Sequence, residues 1–509
     1  MRNFILYLYL FIVAGGAISV FGKELNPSID KVLSLQKWIV YDVKGVAVHS
    51  NIARVKGRRL AKKLARFIAL TEKFYSSRVI SQDSRPVDIY VFESYAQYLL
   101  FEGQRNIERN RVGFAASTPE RHILALSYEN PNAASNLLFH EFMHFNQFRE
   151  KVKLPAWYRE GEAEFFSTTT LREGMAAIGG RIERQLPPDV APMSLNRLLT
   201  VESTDELPLE DLPNFYIDSW AFFHYLYIFR TPEGHSRISQ LTKYINLTAQ
   251  GESVEAAFKS AFGVAIEKIE AEYQLYRSRL LTFTSPSQYY EVEFEEMDNS
   301  YPGRLILSAE ASRDLGEFAL LLGSEQIGVA ASLFEYLLSL EPETKAGLIG
   351  LAHAELIRGN LEKAESLLAQ LNMKTPEVET FNGLIAMQRY ILSRKEGNIL
   401  KAVSQLEKAR SAFKLVAAME PGKPEPLVHL GQTYLMEGVD DFKPGIAALH
   451  ESVKLSPTNP VIYFYLGQLY QKSGNSGSAR TCFENAVKMD FGGAVGNEAR
   501  KHLSELQKT

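Results

Sequence analysis

The sequence predicts two folded regions of different class: an α+β domain with a small mixed sheet plus helices, followed by an all-α solenoid of helical repeats. Three observations predict this. Val87-Asp-Ile-Tyr-Val-Phe alternates like a half-buried strand, and Gly113-Phe-Ala-Ala-Ser and His122-Ile-Leu-Ala-Leu-Ser-Tyr read as two more. From about 155 to 283 almost every segment has helical spacing, closing on Ile266-Glu-Lys-Ile-Glu-Ala-Glu-Tyr-Gln-Leu-Tyr. From about 316 the sequence repeats itself, and 509 residues leave room for two or three cores.

Taken in order, residues 1–22 have the layout of an export signal. Arg2 is the positive start, Phe4 to Val13 the apolar run, and Val20-Phe-Gly22 the cleavage site. The apolar stretch from Phe4 to Phe21 is 18 residues long, enough for an uncleaved membrane anchor, so both readings stand. No cysteine follows it, which leaves a lipid anchor unsupported. The only cysteine is Cys482, so disulfides contribute nothing and a metal site must draw on His and carboxylates. An amphipathic helix is predicted over roughly 51–78. Its basic run from Arg54 to Arg66 is read as a solvated face, because Val55, Leu60, Leu64 and Ile68 keep helical spacing. With 56 basic against 60 acidic side chains there is no basic footprint for nucleic acid. Asn130-Pro-Asn opens a helix through about 149, Pro being well placed in a first turn. Residues 285–312, richer in Pro, Ser and acidic side chains, read as a connector with a strand or two.

The clearest repeat carries Tyr463, Leu466, Gly467, Tyr470, Gly474, Ala479, Phe483 and Ala486. The unit before it has Leu430, Gly431, Tyr434, Gly438, Leu449 and Pro457. A third has Leu351, Gly359, Ala364, Leu368 and Pro376. Ala330, Phe334 and Pro342 suit the second helix of an earlier unit, and Gly397, Ala402, Leu406 and Ala409 a longer, interrupted one. These positions resemble the tetratricopeptide repeat, in which small residues let paired helices approach and large ones fill the groove between them. A plain helical bundle is the alternative.

The sharpest local signal is His140-Glu141-Phe142-Met143-His144. On a helix the two imidazoles leave one face a turn apart, so two nitrogens can reach one zinc ion while Glu141 stands beside the open position as general base. The flanking Leu137, Leu138, Phe139, Phe142, Phe145 and Phe148 make the helix largely buried, where histidines and an acid without a partner are costly. The bland alternative is two incidental histidines and an ion-paired Glu.

Downstream, Leu154-Pro-Ala-Trp-Tyr-Arg-Glu160-Gly-Glu-Ala-Glu164-Phe-Phe resembles the glutamate helix of gluzincins, aminopeptidase-N-like and thermolysin-like, and most closely the bacterial peptidase-MA-like zinc metallopeptidases. The resemblance implies a gluzincin-type fold and a third zinc ligand at Glu160. Fifteen residues separate Glu160 from His144, a shorter spacing than in aminopeptidase-N-like enzymes. Glu162 points away around the helix and is a poor alternative. Glu164, one turn on, is expected beside a ligand histidine as its hydrogen-bond acceptor, an ordinary salt bridge being the other reading. Trp157 and Tyr158 read as packing residues, with lining of the cleft as the alternative for Tyr158. Asn214-Phe-Tyr216-Ile-Asp-Ser219 resembles the Tyr-x-x-Ser helix of the same family, which makes Tyr216 the candidate oxyanion donor or else a packed core tyrosine. His224 is read as a satisfied core histidine. The strand His122–Tyr128 is expected to be the sheet edge bordering the cleft, able to pair with an extended peptide.

The organisation expected is therefore a signal at 1–22, a gluzincin-like domain at 23–285, a connector at 286–315 and a repeat domain at 316–509. Its implied activity is that of an exported zinc peptidase of the periplasm or cell envelope. Zinc on His140, His144 and Glu160 activates water, and Glu141 carries the proton to the leaving amine. No Gly-Ala-Met-Glu-Asn segment matches, which favours endopeptidase action. Its partners would be a protein or peptide substrate and a protein held by the repeats, with membrane contact only through an uncleaved anchor. Two other classes remain: an envelope scaffold whose zinc domain is vestigial or structural, and a hydrolase of a non-peptide amide.

Overall fold

The computed structural model describes residues 29–75, 85–102, 112–117, 121–148, 150, 154–172, 174–182, 191–204, 207–230, 234–282, 287–291, 301–436, 439–489 and 494–506. The export segment at 1–22 and Gly438 lie outside the described residues, among which no helix is long and apolar enough to cross a membrane. Two compact units form. One spans Gln36–Ile306; the other joins the chain up to Leu35 with Leu307–Thr509.

The first helix, α1 (Ile29–Leu33), belongs to the second unit. The first unit begins with β1 (Ile39–Val43), β2 (Val46–Ser50), α2 (Arg54–Tyr75), β3 (Val87–Phe92), α3 (Tyr95–Tyr98), β4 (Gly113–Ser117) and β5 (His122–Ser127). It continues with α4 (Pro131–Phe148), α5 (Ala156–Ser167), β6 (Thr170–Arg172), β7 (Met175–Ile178), α6 (Leu195–Thr200) and α7 (Leu212–Ile228). It closes with α8 (Ile238–Ala249), α9 (Val254–Phe262), α10 (Ile266–Thr282), β8 (Gln288–Glu291) and β9 (Arg304–Leu305).

The main sheet is mixed, in the order β4-β5-β3-β2-β1-β9. The β1–β2 hairpin is closed by Lys44 and Gly45 at φ 53° and 81°, the two positive values that match the twist of its strands. From β2 the chain crosses through α2 to the parallel β3, and β3 pairs in parallel with β5. The placement of His122–Ser127 corrects the expectation of a cleft-side edge. All six of its residues are buried, it lies between β3 and β4, and the edge on this side of the sheet, among the described residues, is the antiparallel β4. A strand covered on both faces reads as the continuous apolar run Ile123-Leu-Ala-Leu, which is an interior signature.

The metal-motif helix α4 lies on this sheet. Asn130 caps it, its side-chain oxygen accepting from the Ala133 amide at 3.3 Å. Phe139 stacks on Phe67 of α2 at 4.1 Å, and Leu137 packs over Gly113 of β4. Leu138, Phe139, Phe142 and Met143 are buried. Each contributes about 2 kcal/mol of apolar burial, which offsets the cost of burying His140 and Glu141 on the same helix. One part of the 155–283 stretch is not helical. β6 and β7 form a hairpin around Gly174, and β8 completes a second, three-stranded sheet. Met175-Ala-Ala-Ile has little strand preference of its own, so tertiary pairing decides it.

The second unit runs through α11 (Ser308–Leu322), α12 (Ile327–Leu340), α13 (Lys345–Arg358), α14 (Leu361–Ala369), α15 (Pro376–Lys395) and α16 (Ile399–Met419). It ends with α17 (Glu425–Thr433), α18 (Lys443–Leu455), α19 (Pro460–Lys472), α20 (Ser476–Met489) and α21 (Ala494–Leu506). Each helix packs on the next, and alternate helices also touch: α11 with α13, α13 with α15, α17 with α19 and α19 with α21. That is the contact pattern of stacked hairpins. The small positions have a visible cause. A Cβ on Gly467 would stand 2.7 Å from the Phe483 ring, and one on Gly431 2.6 Å from Leu449. The predicted connector is divided: β8 and β9 pair within the first unit, while α11 opens the second at Ser308.

Two buried histidines should make this unit acid-sensitive. Burial lowers His353 to about 3. Burial likewise lowers His429 to about 4, against the smaller opposing effect of its hydrogen bond to Gln432. Unfolded histidine titrates near 6.5, so between these values the unfolded chain binds more protons and stability falls as the pH drops. At pH 5 each histidine should cost about 2 kcal/mol relative to neutral pH. Circular-dichroism melts of the full chain should therefore lose helical transition temperature from pH 7 to pH 5, and less so in His429→Leu. An unchanged transition down to pH 5 would contradict this.

Candidate metal centre

Two helices bring the site together. α4 supplies His140, Glu141 and His144, and α5 supplies Glu160, Glu162 and Glu164. Contact between α4 and α5, and between α5 and α7, sets their separation. The second contact depends on Gly161. A Cβ there would lie 2.4 Å from the Ser219 carbonyl oxygen of α7 and 3.0 Å from Phe223 Cβ. Only a residue without a side chain lets the helices approach this closely next to Glu160.

His140, His144 and Glu160 converge, and among the described residues they form the one group of three or more His, Cys, Asp or Glu side chains that could hold a metal ion. His140 Nε2 and His144 Nε2 are 3.1 Å apart, and Glu160 Oε2 is 3.5 Å from the first and 3.6 Å from the second. A tetrahedral zinc site with bonds of 2.0–2.1 Å has ligand-to-ligand edges of about 3.3 Å. A triangle with these three sides has a centre about 2.0 Å from every corner, so the spacing of the three atoms matches that of ligands sharing one ion.

The charges agree with that reading. Burial opposes a charged His144, but the Glu160 carboxylate beside it dominates and raises its pKa to about 9. Burial would raise Glu160, yet the two imidazoles hold it well below the usual carboxylate range. The buried Glu160 carboxylate therefore stays ionised between the two imidazoles, and a cation at this point would displace the extra proton from His144. Glu141 is buried on the same helix, and its charge also acts on His144.

Of the two readings of Glu164, the structure fits the ion pair. Glu164 Oε1 lies 3.8 Å from His140 Nδ1, within ion-pair range and too long for a hydrogen bond. The group that does engage a ligand histidine is Gln147, whose Oε1 is 2.9 Å from His144 Nδ1. Gln147 Nε2 donates to the Arg159 carbonyl and to Glu162 Oε2, each at 3.0 Å, and the Tyr158 hydroxyl donates to Glu162 Oε1 at 3.2 Å. Glu162 does turn away from the three donors, toward Gln147. Gln147 was missed in the sequence, although its place three residues after His144, on the same helix face, was the available signal.

Tyr216 is half-buried as the fifth residue of α7, with its ring edge-on to Phe215; it is outside the convergent triad. His224 has both ring nitrogens engaged, with the Tyr276 hydroxyl at 2.6 Å and the Gly179 carbonyl at 2.9 Å. The Arg277–Asp218 ion pair, buried between α10 and α7, ties these two helices together.

The comparisons with known proteins fall on the other unit. Residues 321–387 match the tetratricopeptide-repeat family. This stretch carries repeats of the kind that bind proteins. Among solved structures, the chain is similar to TTC0263, a thermophilic TPR protein of Thermus thermophilus, at 21% identity and a TM-score of 0.35, over 40% of this chain and 100% of that one. It is similar to YrrB, described as a TPR protein with an unusual peptide-binding site, at 14% identity and a TM-score of 0.26, over 38% and 92%. It is also similar to MamA from Desulfovibrio magneticus RS-1, at 17% identity and a TM-score of 0.25, over 36% and 97%. No curated protein matches the chain.

Proposed function

We propose that this chain is a protein-binding repeat scaffold joined to a zinc-dependent peptidase domain of gluzincin type. The two halves rest on different support, and the interaction role has the firmer footing, because the family match falls on the repeats. The hydrolytic half rests on one observation: two imidazole nitrogens and a carboxylate oxygen at 3.1, 3.5 and 3.6 Å from one another, on a buried helix pair that also carries Glu141.

Zinc bound by His140, His144 and Glu160 would supply Lewis acidity and a water of near-neutral pKa. The protein's own part is positioning and proton transfer. Glu141, next in sequence to a ligand and not itself in the triad, takes a proton from water and delivers it to the leaving amine. Tyr216 is retained as the candidate donor to the developing oxyanion, one turn before the Ser219 contact with Gly161. The absence of a Gly-Ala-Met-Glu-Asn segment favours internal cleavage of chains. The export segment at 1–22 favours a periplasmic or envelope location, and the repeats would hold a protein partner or substrate.

Bound zinc should be measured after dialysis of the purified chain, and casein or peptide-library cleavage compared between wild type and Glu141→Gln. About one zinc per chain in both, with turnover falling about 10²–10⁴-fold in the variant, is the expected result. Stoichiometric zinc with equal cleavage, or none, in both proteins would instead favour the second reading, a repeat scaffold whose zinc is structural. That reading is favoured by the family match alone.

A further inference from the structure

We propose that Gln147 is a positioning residue of the metal centre, orienting His144 through its amide oxygen and tying the two ligand-bearing helices together through its amide nitrogen. This rests on the zinc reading above. The argument is hydrogen-bond bookkeeping. The Arg159 carbonyl and the Glu162 carboxylate can only accept, and Gln147 Nε2 lies 3.0 Å from both. Both amide hydrogens are therefore spent on α5, which fixes which end of the carboxamide is nitrogen. Its oxygen is then the atom 2.9 Å from His144 Nδ1, and because that oxygen can only accept, His144 must carry its proton on Nδ1. When the imidazole gives up its second proton to bind an ion, Nε2, 3.1 Å from His140 Nε2 and 3.6 Å from Glu160 Oε2, is therefore the nitrogen left to coordinate.

A neutral amide in this place does what a carboxylate or backbone carbonyl does beside most metal-bound histidines: it selects the tautomer and ring orientation. The second consequence is specific to this chain. Glu162, fully buried two residues after Glu160, anchors Gln147, and Tyr158 anchors Glu162. The orientation of His144 on α4 and the placement of Glu160 on α5 are thereby linked through a single side chain, and Glu162, which is no ligand, acts through it.

The test is zinc affinity of the full-length protein, read by competition with a chromophoric chelator, with circular-dichroism melts of the metal-free proteins alongside. Gln147→Leu removes the acceptor and should bind zinc about 10–100-fold more weakly. Glu162→Gln keeps the contact to His144 and an acceptor for the Gln147 amide, and should stay close to wild type. The exchange Q147E/E162Q restores an acceptor for His144 and a donor–acceptor pair between the helices; it should bind far more tightly than Gln147→Leu, and it carries the test if that variant does not fold. Wild type without zinc overturns the metal reading and this role together. Zinc on wild type with equal affinity in Gln147→Leu overturns only this role. An equal loss in Glu162→Gln and Gln147→Leu also overturns it, because packing alone would then account for both.

Discussion

Glu160→Ala is expected to lower zinc affinity by about two orders of magnitude or more, with little change in the repeat unit. Structural zinc sites gain about 10–16 kcal/mol from four ligands, so one ligand is worth about 3 kcal/mol, and each 1.4 kcal/mol is tenfold. Glu160 is the only anionic member of the triad, and it lies 3.5 and 3.6 Å from the two imidazole nitrogens. Without it the remaining donors are two neutral nitrogens 3.1 Å apart on one helix. Glu160→Gln is the sharper companion. It keeps the volume and removes the charge, so it should fall between alanine and wild type. Equilibrium dialysis against zinc with metal analysis reads both. Wild-type affinity in Glu160→Ala would remove the ion from this position, whatever the histidines do.

The second large effect is expected at a residue with no chemistry at all. Gly161→Ala should destabilise the Gln36–Ile306 unit by about 3 kcal/mol, the upper end of the overpacking range, and weaken zinc binding with it. The added methyl would stand 2.4 Å from the Ser219 carbonyl oxygen and 2.9 Å from its carbonyl carbon. Those are backbone atoms inside α7 and cannot swing aside as a side chain can. The helices must move apart, and Glu160, the preceding residue, moves with α5. Thermal melts should show an earlier loss of one transition, and dialysis a lower zinc occupancy. A folded Gly161→Ala protein with unchanged melting and metal content would mean that this helix contact has slack the distances do not suggest.

Much of this molecule could be read in one dimension because its signals are local. The spacing of His140 and His144 is a property of a single helix, and so is the period that brings Tyr463, Leu466, Gly467 and Tyr470 onto one face. The strands at 87–92, 113–117 and 122–127 carried their own patterns, and Asn130-Pro131 its own start signal. What could not be read depends on neighbours distant in sequence. The hairpin of β6 and β7 is held by pairing with β8, more than 100 residues later, and Met-Ala-Ala-Ile has too little strand preference to announce it. Whether His122–Ser127 lies inside or at an edge depends on which strand covers it, and there the continuous apolar run was the clue that outweighed the expectation.

The candidate site divides along the same line. By itself, the order of residues determined two things: an i, i+4 histidine pair beside a glutamate, and a solenoid of helix pairs whose glycines face large side chains. Periodicity along one helix is enough for both. Only the tertiary structure decided that Glu160 comes within 3.6 Å of both imidazoles, that Gln147 and not Glu164 bonds a ligand histidine, and that Gly161 sets the gap between α5 and α7. The reason is physical. Side chains on different helices meet at distances set by packing to a few tenths of an ångström, and no pattern along one chain segment carries that information.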